Sequence, residues 1–302
     1  MVSIGKGLAL VSQYLCTLRG GTQPILARAS DGFLYVVKFA NNLQGPNLLF
    51  NESAGNELYR ACGLAVPQWK PLWVPESFLE QNRECWIQTP LGHIRPASGL
   101  CFGLRFLGGN SARLFEILPG FMVKRIRNRR DFWLAWLIDV CAEHADNRQA
   151  IFVEASDGRL DAHFIDHGHM FGGPNGESRR NFSASRYLDR RVYGNSPHEP
   201  PDDFDIALDA LDVDKLMQQI EAIPPEWSSV SAFERFNRCV RRLKSRSLVH
   251  HIIETMVSDL EGRKESESGY IGSERKPPSS VLHFGLRDQR CGPSRAHNHH
   301  CA

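Results

Sequence analysis

The sequence predicts an α+β fold in which a small, β-rich N-terminal part precedes a mainly helical C-terminal part. Short apolar runs separated by glycine-rich turns dominate the chain up to residue 106. Longer segments with helical spacing of apolar residues follow from residue 131 onward. A chain of 302 residues is also long enough for two lobes that share a cleft. We therefore expect structured parts over residues 8–106 and 107–262.

The composition is that of an ordinary globular protein, and it argues against several classes of function. Apolar residues make up 42% of the chain, charged residues 23%, and the net charge is +2, so neither nucleic acid nor an anionic membrane is expected as a partner. The arginines at residues 125–130 and 238–246 are expected to face solvent on or before helices. No apolar run approaches the roughly 20 residues of a membrane span. Because the N-terminus also lacks the features of a secretory signal, a cytoplasmic location is expected.

Cysteine usage points to the same compartment. The eight cysteines are scattered without a CxxC pair, and six lie in apolar segments, at residues 16, 62, 85, 101, 141 and 239. These six are expected to be small buried side chains in a reducing environment. Cys291 and Cys301 lie beside several histidines, but their spacing fits no structural zinc pattern. The polar composition around them predicts that residues 263–302 form a disordered tail.

The first chemically informative segment is a glycine pair followed by two predicted strands. The glycines at residues 20–21 can adopt positive φ and bring backbone N–H groups close to a phosphate. Strands are predicted at residues 25–29 and 33–39, joined by a tight turn. Lys38 lies near the end of the second strand, where its ammonium could neutralise phosphates. Taken singly, such a glycine pair is more often a plain turn, and such a lysine more often extends into water.

A helix is predicted next, with Asn51 as its N-cap. Glu52 on this helix could form an ion pair with the strand lysine and hold it toward a nucleotide. The alternative is that Glu52 only complements the helix dipole, while Glu57 pairs locally with Arg60.

The remaining elements follow from apolar spacing and turn residues. The predictions are a polar loop at 76–83, strands at 86–89 and 100–106 lining a nucleotide edge, a core helix at 131–140 capped by Asn128 or Asp131, a loop at 172–203, and helices at 205–223 and 231–260. The loop at 172–203 is either a substrate-facing segment or a long surface connection.

Two aspartates flank a predicted β-hairpin in the middle of the chain. Asp146 precedes the apolar run at 150–153, and Asp166 follows the apolar run at 162–165. A hairpin would bring both carboxylates to one end. ATP-dependent phosphoryl transfer uses such a pair, one carboxylate to orient and deprotonate the acceptor hydroxyl and one to hold magnesium. Either aspartate alone is more often a turn cap.

In chain order, these features match the parts of eukaryotic-type kinases. The chain resembles the HipA-like kinase family, a bacterial branch of the protein-kinase-like fold, in three motifs. They are the loop at 21–24 (Gly-Thr-Gln-Pro), the strand at 35–38 (Tyr-Val-Val-Lys), and the Asn-Glu pair at 51–52 followed by Gly-Leu-Ala-Val-Pro at 63–67. The segment at 102–106 is similar to the one that joins the lobes in short members. The resemblance implies a two-lobed fold without the separate N-terminal domain of the HipA toxins.

The resemblance also implies a role for each candidate residue in transfer of a phosphoryl group from Mg-ATP to Ser/Thr of a protein substrate. The implied site residues are Gly21, Thr22 and Gln23 for the ATP phosphates, Lys38 for the α- and β-phosphates, Glu52 for supporting Lys38, Asp146 for catalysis, and Asp166 for magnesium. Gln149, through its carbonyl oxygen, or Asn147 could substitute for the asparagine with which the family completes the metal site.

Two departures from the family pattern leave other functions open. Ile25 stands where the family usually has a lysine, and the asparagine that normally follows the catalytic aspartate and shares the metal is missing. The first alternative is a pseudokinase that binds nucleotide without turnover. A small-molecule kinase on the same scaffold is the second. The third is a zinc-dependent hydrolase, which would use the two aspartates with His144, His167 and His169.

Overall fold

The computed structural model describes residues 8–108, 113–176, 185–194, 200 and 204–267. The strands within these residues are Ala9–Thr17 (β1), Ile25–Ala29 (β2), Leu34–Lys38 (β3), Trp69–Val74 (β4), Ile87–Thr89 (β5), Gly92–Ile94 (β6), Gly99–Arg105 (β7), Leu114–Phe115 (β8), Gln149–Glu154 (β9) and Leu160–Ile165 (β10). The α-helices are Leu48–Ala61 (α1), Glu76–Gln81 (α2), Asp131–Cys141 (α3), Phe204–Asp209 (α4), Val213–Glu221 (α5), Val230–Leu243 (α6) and Arg246–Glu267 (α7). This mixture agrees with the predicted α+β class. Helix α7 extends to Glu267, so the predicted disordered tail at 263–302 is wrong for residues 263–267. The tail beyond residue 267 and part of the predicted loop at 172–203 lie outside the described residues.

The N-terminal strands close into a barrel in the order β1-β2-β3-β7-β4. Neighbouring strands are antiparallel except β1 and β4, which run parallel. Ile25, Val37 and Leu72 are among the buried apolar side chains that pack together in this part of the chain. Because β3 pairs with β2 on one side and β7 on the other, Lys38 at its end is held opposite Phe102. The predicted strands at 25–29 and 33–39 are confirmed, the second being shorter by one residue at each end.

Two predictions for the barrel's surroundings are wrong. The segment predicted as a polar loop at 76–83 contains α2, because Phe78 and Leu79 are buried against the barrel cluster and one short helix places both there. The strand predicted at 86–89 exists as β5, but it pairs with β6 in a separate two-stranded sheet rather than lining the cleft described below.

Helix α1 begins earlier than predicted. It starts at Leu48, preceded by Asn47 at the N-cap position without a side-chain cap, so Asn51 is an interior helix residue and not the cap. The reason is burial: Leu48, Leu49 and Phe50 are almost completely inaccessible and extend the apolar face by a turn. The Asn51 side chain is buried as well and is used for a contact described with the site.

The predicted central hairpin is confirmed as β9 and β10, with β8 pairing along β9. Its register places Gln149 opposite Ile165, so the residues before β9 and after β10 lie at the same end. Phe152 and Phe164 on these strands are fully buried in the main core. The hairpin therefore holds the chain around Asp146 and Asp166 against a packed scaffold.

Helix α3 matches the core helix predicted at 131–140, but its predicted capping is wrong. Arg130 occupies the N-cap position and no side chain caps the helix. Asn128 instead binds Ala162 of β10, donating from Nδ2 to its carbonyl oxygen and accepting from its N–H, both at 2.9 Å. Asn128 Nδ2 also donates to Asp131 Oδ2 at 2.9 Å, so Asn128 ties the start of the core helix to the hairpin.

Each helix predicted in the last third of the described chain is in fact two helices. α4 and α5 replace the helix at 205–223, because Asp212 caps a new start by accepting from the N–H of Lys215. α6 and α7 replace the helix at 231–260, with Lys244 at the break. The Lys244 ammonium donates to the carbonyl oxygens of Leu208 and Leu211, which fixes one break against the other.

No helix in the described ranges is long and apolar enough to cross a membrane. All six cysteines in those ranges are free; the predicted burial is confirmed for five of them and wrong for Cys16, which is partly exposed.

Candidate functional site

A solvent-open cleft of about 760 Å³ lies between the barrel and the β9–β10 hairpin. Its apolar walls come from both sides: Val36, Pro67, Leu104, Phe106, Leu107, Leu114, Ile151 and Ile165. Its polar lining comprises Arg19, Gly20, Gly21, Thr22, Lys38, Gln44, Arg105, Glu116, Gln149 and Asp166. The end of β7 therefore lines the cleft, as predicted for 100–106. A cleft with apolar walls and charged groups beside them suits a ligand with an aromatic ring and an anionic portion.

Lys38 brings together groups that are far apart in sequence. Its side chain is only 8% exposed, and its ammonium donates to Glu52 Oε1 and, over 3.0 Å, to Asp166 Oδ1. Burial alone would lower the pKa of Lys38, but the charges of Asp166 and Glu52 outweigh it and raise the pKa above its ordinary value. Lys38 is therefore a fixed cation in the cleft.

Glu52 connects the lysine to the chain that follows Asp166. Besides the Lys38 ammonium, it accepts from the backbone N–H of His167 (3.2 Å) and of Gly168 (3.0 Å). Burial raises the pKa of its carboxyl group, while the positive charge of Lys38 opposes the rise. Glu57, the other glutamate of α1, binds Arg60 (2.8 Å) and the indole N–H of Trp69 (2.6 Å) away from this site. The structure thus separates the two glutamates as the sequence predicted.

Helix α1 packs closely on the segment that follows Asp166. Asn51 donates from Nδ2 to the carbonyl oxygens of Gly168 (3.0 Å) and Met170 (2.9 Å). A Cβ added at Gly55 would lie 2.5 Å from the Cβ of His167, and one at Gly168 would lie 2.8 Å from Glu52 Oε1. The glycines permit this approach, because any larger residue would force the helix and the segment apart.

Asp166 occupies a strained and strongly polar position directly after β10. Its φ is +61°, in the left-handed region that non-glycine residues seldom adopt. Burial would raise the pKa of its carboxyl group, but the charge of Lys38 lowers it below its ordinary value. The Gln149 amide donates from Nε2 to Asp166 Oδ2 at 2.9 Å. Asp166 is thus held ionised, with one oxygen on Lys38 and the other on Gln149.

Asp146 lies in the turn between α3 and β9 and lines a second cleft of about 660 Å³. Its Oδ1 accepts from the N–H of Asn147 at 2.7 Å. The other lining residues of the second cleft are Gln44, Ala145, His169, Gly172, Gly173, Pro174 and Asn175. The two predicted aspartates therefore face neighbouring clefts, and Asn147 lines neither of them.

The predicted phosphate loop is only partly directed into the first cleft. Gly21 and Thr22 line it, whereas Gln23 does not. The φ of Gln23 is +47°, and its side chain donates to the carbonyl oxygen of Gln88 (2.8 Å) and accepts from the N–H of Gln88 (2.7 Å). The side chain of Gln23 thus imitates a strand partner for β5 and anchors the β5–β6 hairpin beside the loop.

A buried network that sequence reasoning missed supports the site from below. Arg148 binds both carboxylate oxygens of Asp139 on α3 (2.7 and 2.6 Å) and the carbonyl oxygen of Ile165 (2.8 Å). Tyr59 on α1 donates to the same aspartate at 2.7 Å. This network joins α1, α3 and the open end of the hairpin, where β9 begins and β10 ends. One feature of the sequence indicates such a network: Asp139 is an acidic residue inside an otherwise apolar helix, and a buried charge needs a buried partner.

The donor groups present suit a hard divalent cation better than zinc. Within the described ranges no three His, Cys, Asp or Glu side chains are grouped so as to hold a metal ion, so the set proposed for a zinc hydrolase does not assemble. Burial lowers the pKa values of His144 and His167, which keeps both rings neutral inside the core. A carboxylate at Asp166 with a neighbouring amide at Gln149 offers oxygen ligands of the type that magnesium and manganese accept.

Comparison with known proteins supports the fold. No protein-family model and no curated protein sequence matches the chain. Among solved structures, a Golgi casein kinase with Mn/ADP bound is similar with a TM-score of 0.50 and 12% identity, over 82% of this chain and 73% of that one. The Helicobacter pylori proinflammatory kinase CtkA is similar with a TM-score of 0.50 and 13% identity, over 83% and 97% of the two chains. At such low identity these likenesses establish the fold alone, and that fold is kinase-like.

Proposed function

We propose that this protein is an ATP-dependent phosphotransferase of HipA-like type that phosphorylates Ser/Thr of a protein substrate. The observation that carries the proposal is the contact of Lys38 with both Glu52 and Asp166 in a cleft with apolar walls. Lys38 and Asp166 are 128 residues apart, and kinase chemistry requires their charges at one triphosphate. The kinase-like fold supports the same conclusion.

Each residue has a defined task in this proposal. The apolar walls hold the adenine ring, and the backbone around Gly21 and Thr22 faces the phosphates. Lys38, fixed by Glu52, neutralises the α- and β-phosphates. Asp146 in the neighbouring cleft orients the acceptor hydroxyl and accepts its proton.

Asp166 and Gln149 are the residues that would hold the magnesium ion; Asn147, the other candidate, lines neither cleft. When bound, the ion neutralises charge on the phosphates during transfer. The solved kinase with Mn/ADP bound supports a divalent ion and a nucleotide as the ligands of this site.

The HipA-like assignment is supported by the contacts of its motif residues. Asn51 and Glu52 both bind the backbone that follows Asp166, which gives a physical reason for an adjacent Asn-Glu pair on α1. Buried free cysteines support the proposed cytoplasmic location.

The test is incubation of the wild type and Asp146→Ala with labelled ATP and magnesium, followed by a search for labelled protein and labelled metabolites. We expect Asp146→Ala to lose about 10²- to 10⁴-fold of label transfer, the usual contribution of a general base. Asp157→Ala, on the exposed turn between β9 and β10, is the control and should transfer at the wild-type rate. Equal label transfer by Asp146→Ala and the wild type would reject the proposed enzymatic function. If label appeared only on small molecules, the acceptor would be a metabolite and not a protein.

A second candidate function is nucleotide binding without turnover, and the contact of Gln149 with Asp166 favours it. Gln149 presents its amide nitrogen, not its oxygen, to the carboxylate that would bind the metal. A site in this state has one metal ligand fewer than the kinase pattern requires. Tight binding of Mg-ADP by a wild type that transfers no label would establish this alternative.

A further inference from the structure

Gln44 is the one side chain, among the described residues that line the two clefts, that both clefts share. The first cleft contains Lys38 and Asp166, and the second contains Asp146. A group that passes from a nucleotide in one cleft to an acceptor in the other must cross their common boundary. Gln44 lies at that boundary.

The position of Gln44 is fixed by its loop. Asn42 Oδ1 accepts from the backbone N–H of Gln44 (3.0 Å) and of Gly45 (3.2 Å), which makes a rigid turn between β3 and α1. A Cβ at Gly45 would lie 2.4 Å from Asn175 Oδ1, and the N–H of Asn47 donates to the carbonyl oxygen of Pro174 at 3.1 Å. The turn therefore spans from the barrel to the segment that lines the second cleft.

The amide of Gln44 also touches the predicted phosphate loop. A Cβ added at Gly21 would lie 2.2 Å from Gln44 Nε2, so the glycine allows the amide to lie directly against the loop backbone. Within the described part of the chain, the Gln44 side chain makes no hydrogen bond of its own. A half-buried amide without a partner, at the junction of two clefts, is free to bind a ligand.

We propose that the Gln44 amide contacts the terminal phosphate of the nucleotide and holds it at the junction, a role that rests on the proposed function. In the transfer step, the bond between the terminal phosphorus and the oxygen bridging to the β-phosphate breaks, and its electron pair leaves with ADP. The acceptor oxygen bonds to the phosphorus, and the hydroxyl proton goes to Asp146. Gln44 donates from Nε2 to a non-bridging oxygen of the transferred group.

The experiment compares two probes, Mg-ADP and magnesium with a non-hydrolysable ATP analogue, by calorimetric titration. Gln44→Glu places a negative charge beside the terminal phosphate, so its dissociation constant for the analogue should rise about tenfold or more. Its dissociation constant for ADP should change by less than about threefold, because ADP lacks that phosphate. Gln44→Ala should show a smaller change in the same direction.

Leu43→Ala is the matched control, since Leu43 is the preceding residue on the same turn and is 48% exposed. It should leave both dissociation constants unchanged. Thermal unfolding of each variant shows whether it is folded. Equal changes for the two probes in Gln44→Glu, or no change for either, would overturn the role of Gln44 while leaving the proposed function intact. A wild type that binds neither probe would reject the proposed function, and this inference with it.

Discussion

Among the single residues of the site, two chemically identical carboxylates have different hydrogen-bond partners. Glu52 and Glu57 lie on the same helix, but one binds a buried ammonium and two backbone N–H groups while the other binds Arg60 and Trp69. A carboxylate with three donors in a buried place cannot be neutralised without leaving donors unsatisfied. Glu57 can be neutralised at a smaller cost, because its arginine partner is partly exposed.

We therefore predict that Glu52→Gln and Glu57→Gln differ strongly in stability. Glu52→Gln should lower the free energy of unfolding at pH 8 by about 3 kcal/mol, since it breaks a buried ion pair and leaves a backbone donor without its acceptor. Glu57→Gln keeps an acceptor for the Trp69 indole and should cost less than about 1 kcal/mol. Denaturant unfolding of both variants measures the difference. Similar losses in the two would contradict the assigned contacts.

Prediction from the sequence worked well for some of these residues and poorly for others. Lys38 and Glu52 could be chosen because they lie in recognisable local motifs, and the structure brings them into contact. Arg148 and Asp139 could not, because neither has a motif and their pairing depends on α3 packing against the hairpin. Gln23 was placed among the phosphate contacts by its motif, but its side chain completes a β-like pair with Gln88.

Among the helices and strands, prediction is most accurate where the regular spacing of apolar residues within a segment decides its structure. The strands β2 and β3, the helix α3 and the β9–β10 hairpin follow directly from apolar spacing. The short α2 and the start of α1 depend instead on burial of Phe78 or Leu48 against distant parts of the chain. Burial through tertiary contacts overrides local composition, so it cannot be predicted from the sequence of the segment alone.

The close packing of α1 on the segment after Asp166 gives a prediction at this scale. Gly55→Ala should gain helix propensity, yet lower the free energy of unfolding by about 1–2 kcal/mol, because the added Cβ meets His167 and the Met170 sulfur. By displacing the segment, it should also weaken Mg-ADP binding about tenfold.

Gly63→Ala provides the comparison for this prediction. Its φ is +81° and nothing lies within 4 Å of the added Cβ, so the cost is backbone strain of about 1 kcal/mol without any contact with the site. Mg-ADP binding should be unchanged. If Gly55→Ala and Gly63→Ala bound the nucleotide equally well, α1 would not control the position of Asp166.

At the scale of the whole molecule, the arrangement joins a barrel, a hairpin and a helical scaffold around two adjacent clefts. The chain order of the motifs predicted that Lys38 and Asp166 meet, and the distance of 3.0 Å agrees with it. The closure of the barrel and the second cleft beside Asp146 could not be predicted, because both depend on contacts between segments without shared patterning. The kinase-like fold therefore fixes the positions of the Lys38 ammonium and of the Asp146 and Asp166 carboxylates relative to one another.

The most direct test of this account is Mg-ADP binding by the wild type, Lys38→Met and Lys70→Met. Lys70 is also a barrel lysine paired with an aspartate, but it lies outside the cleft. We expect the wild type and Lys70→Met to bind Mg-ADP equally, and Lys38→Met to bind it at least about tenfold more weakly because the phosphates lose their cation. Equal binding by all three proteins, or no binding by the wild type, would contradict this expectation.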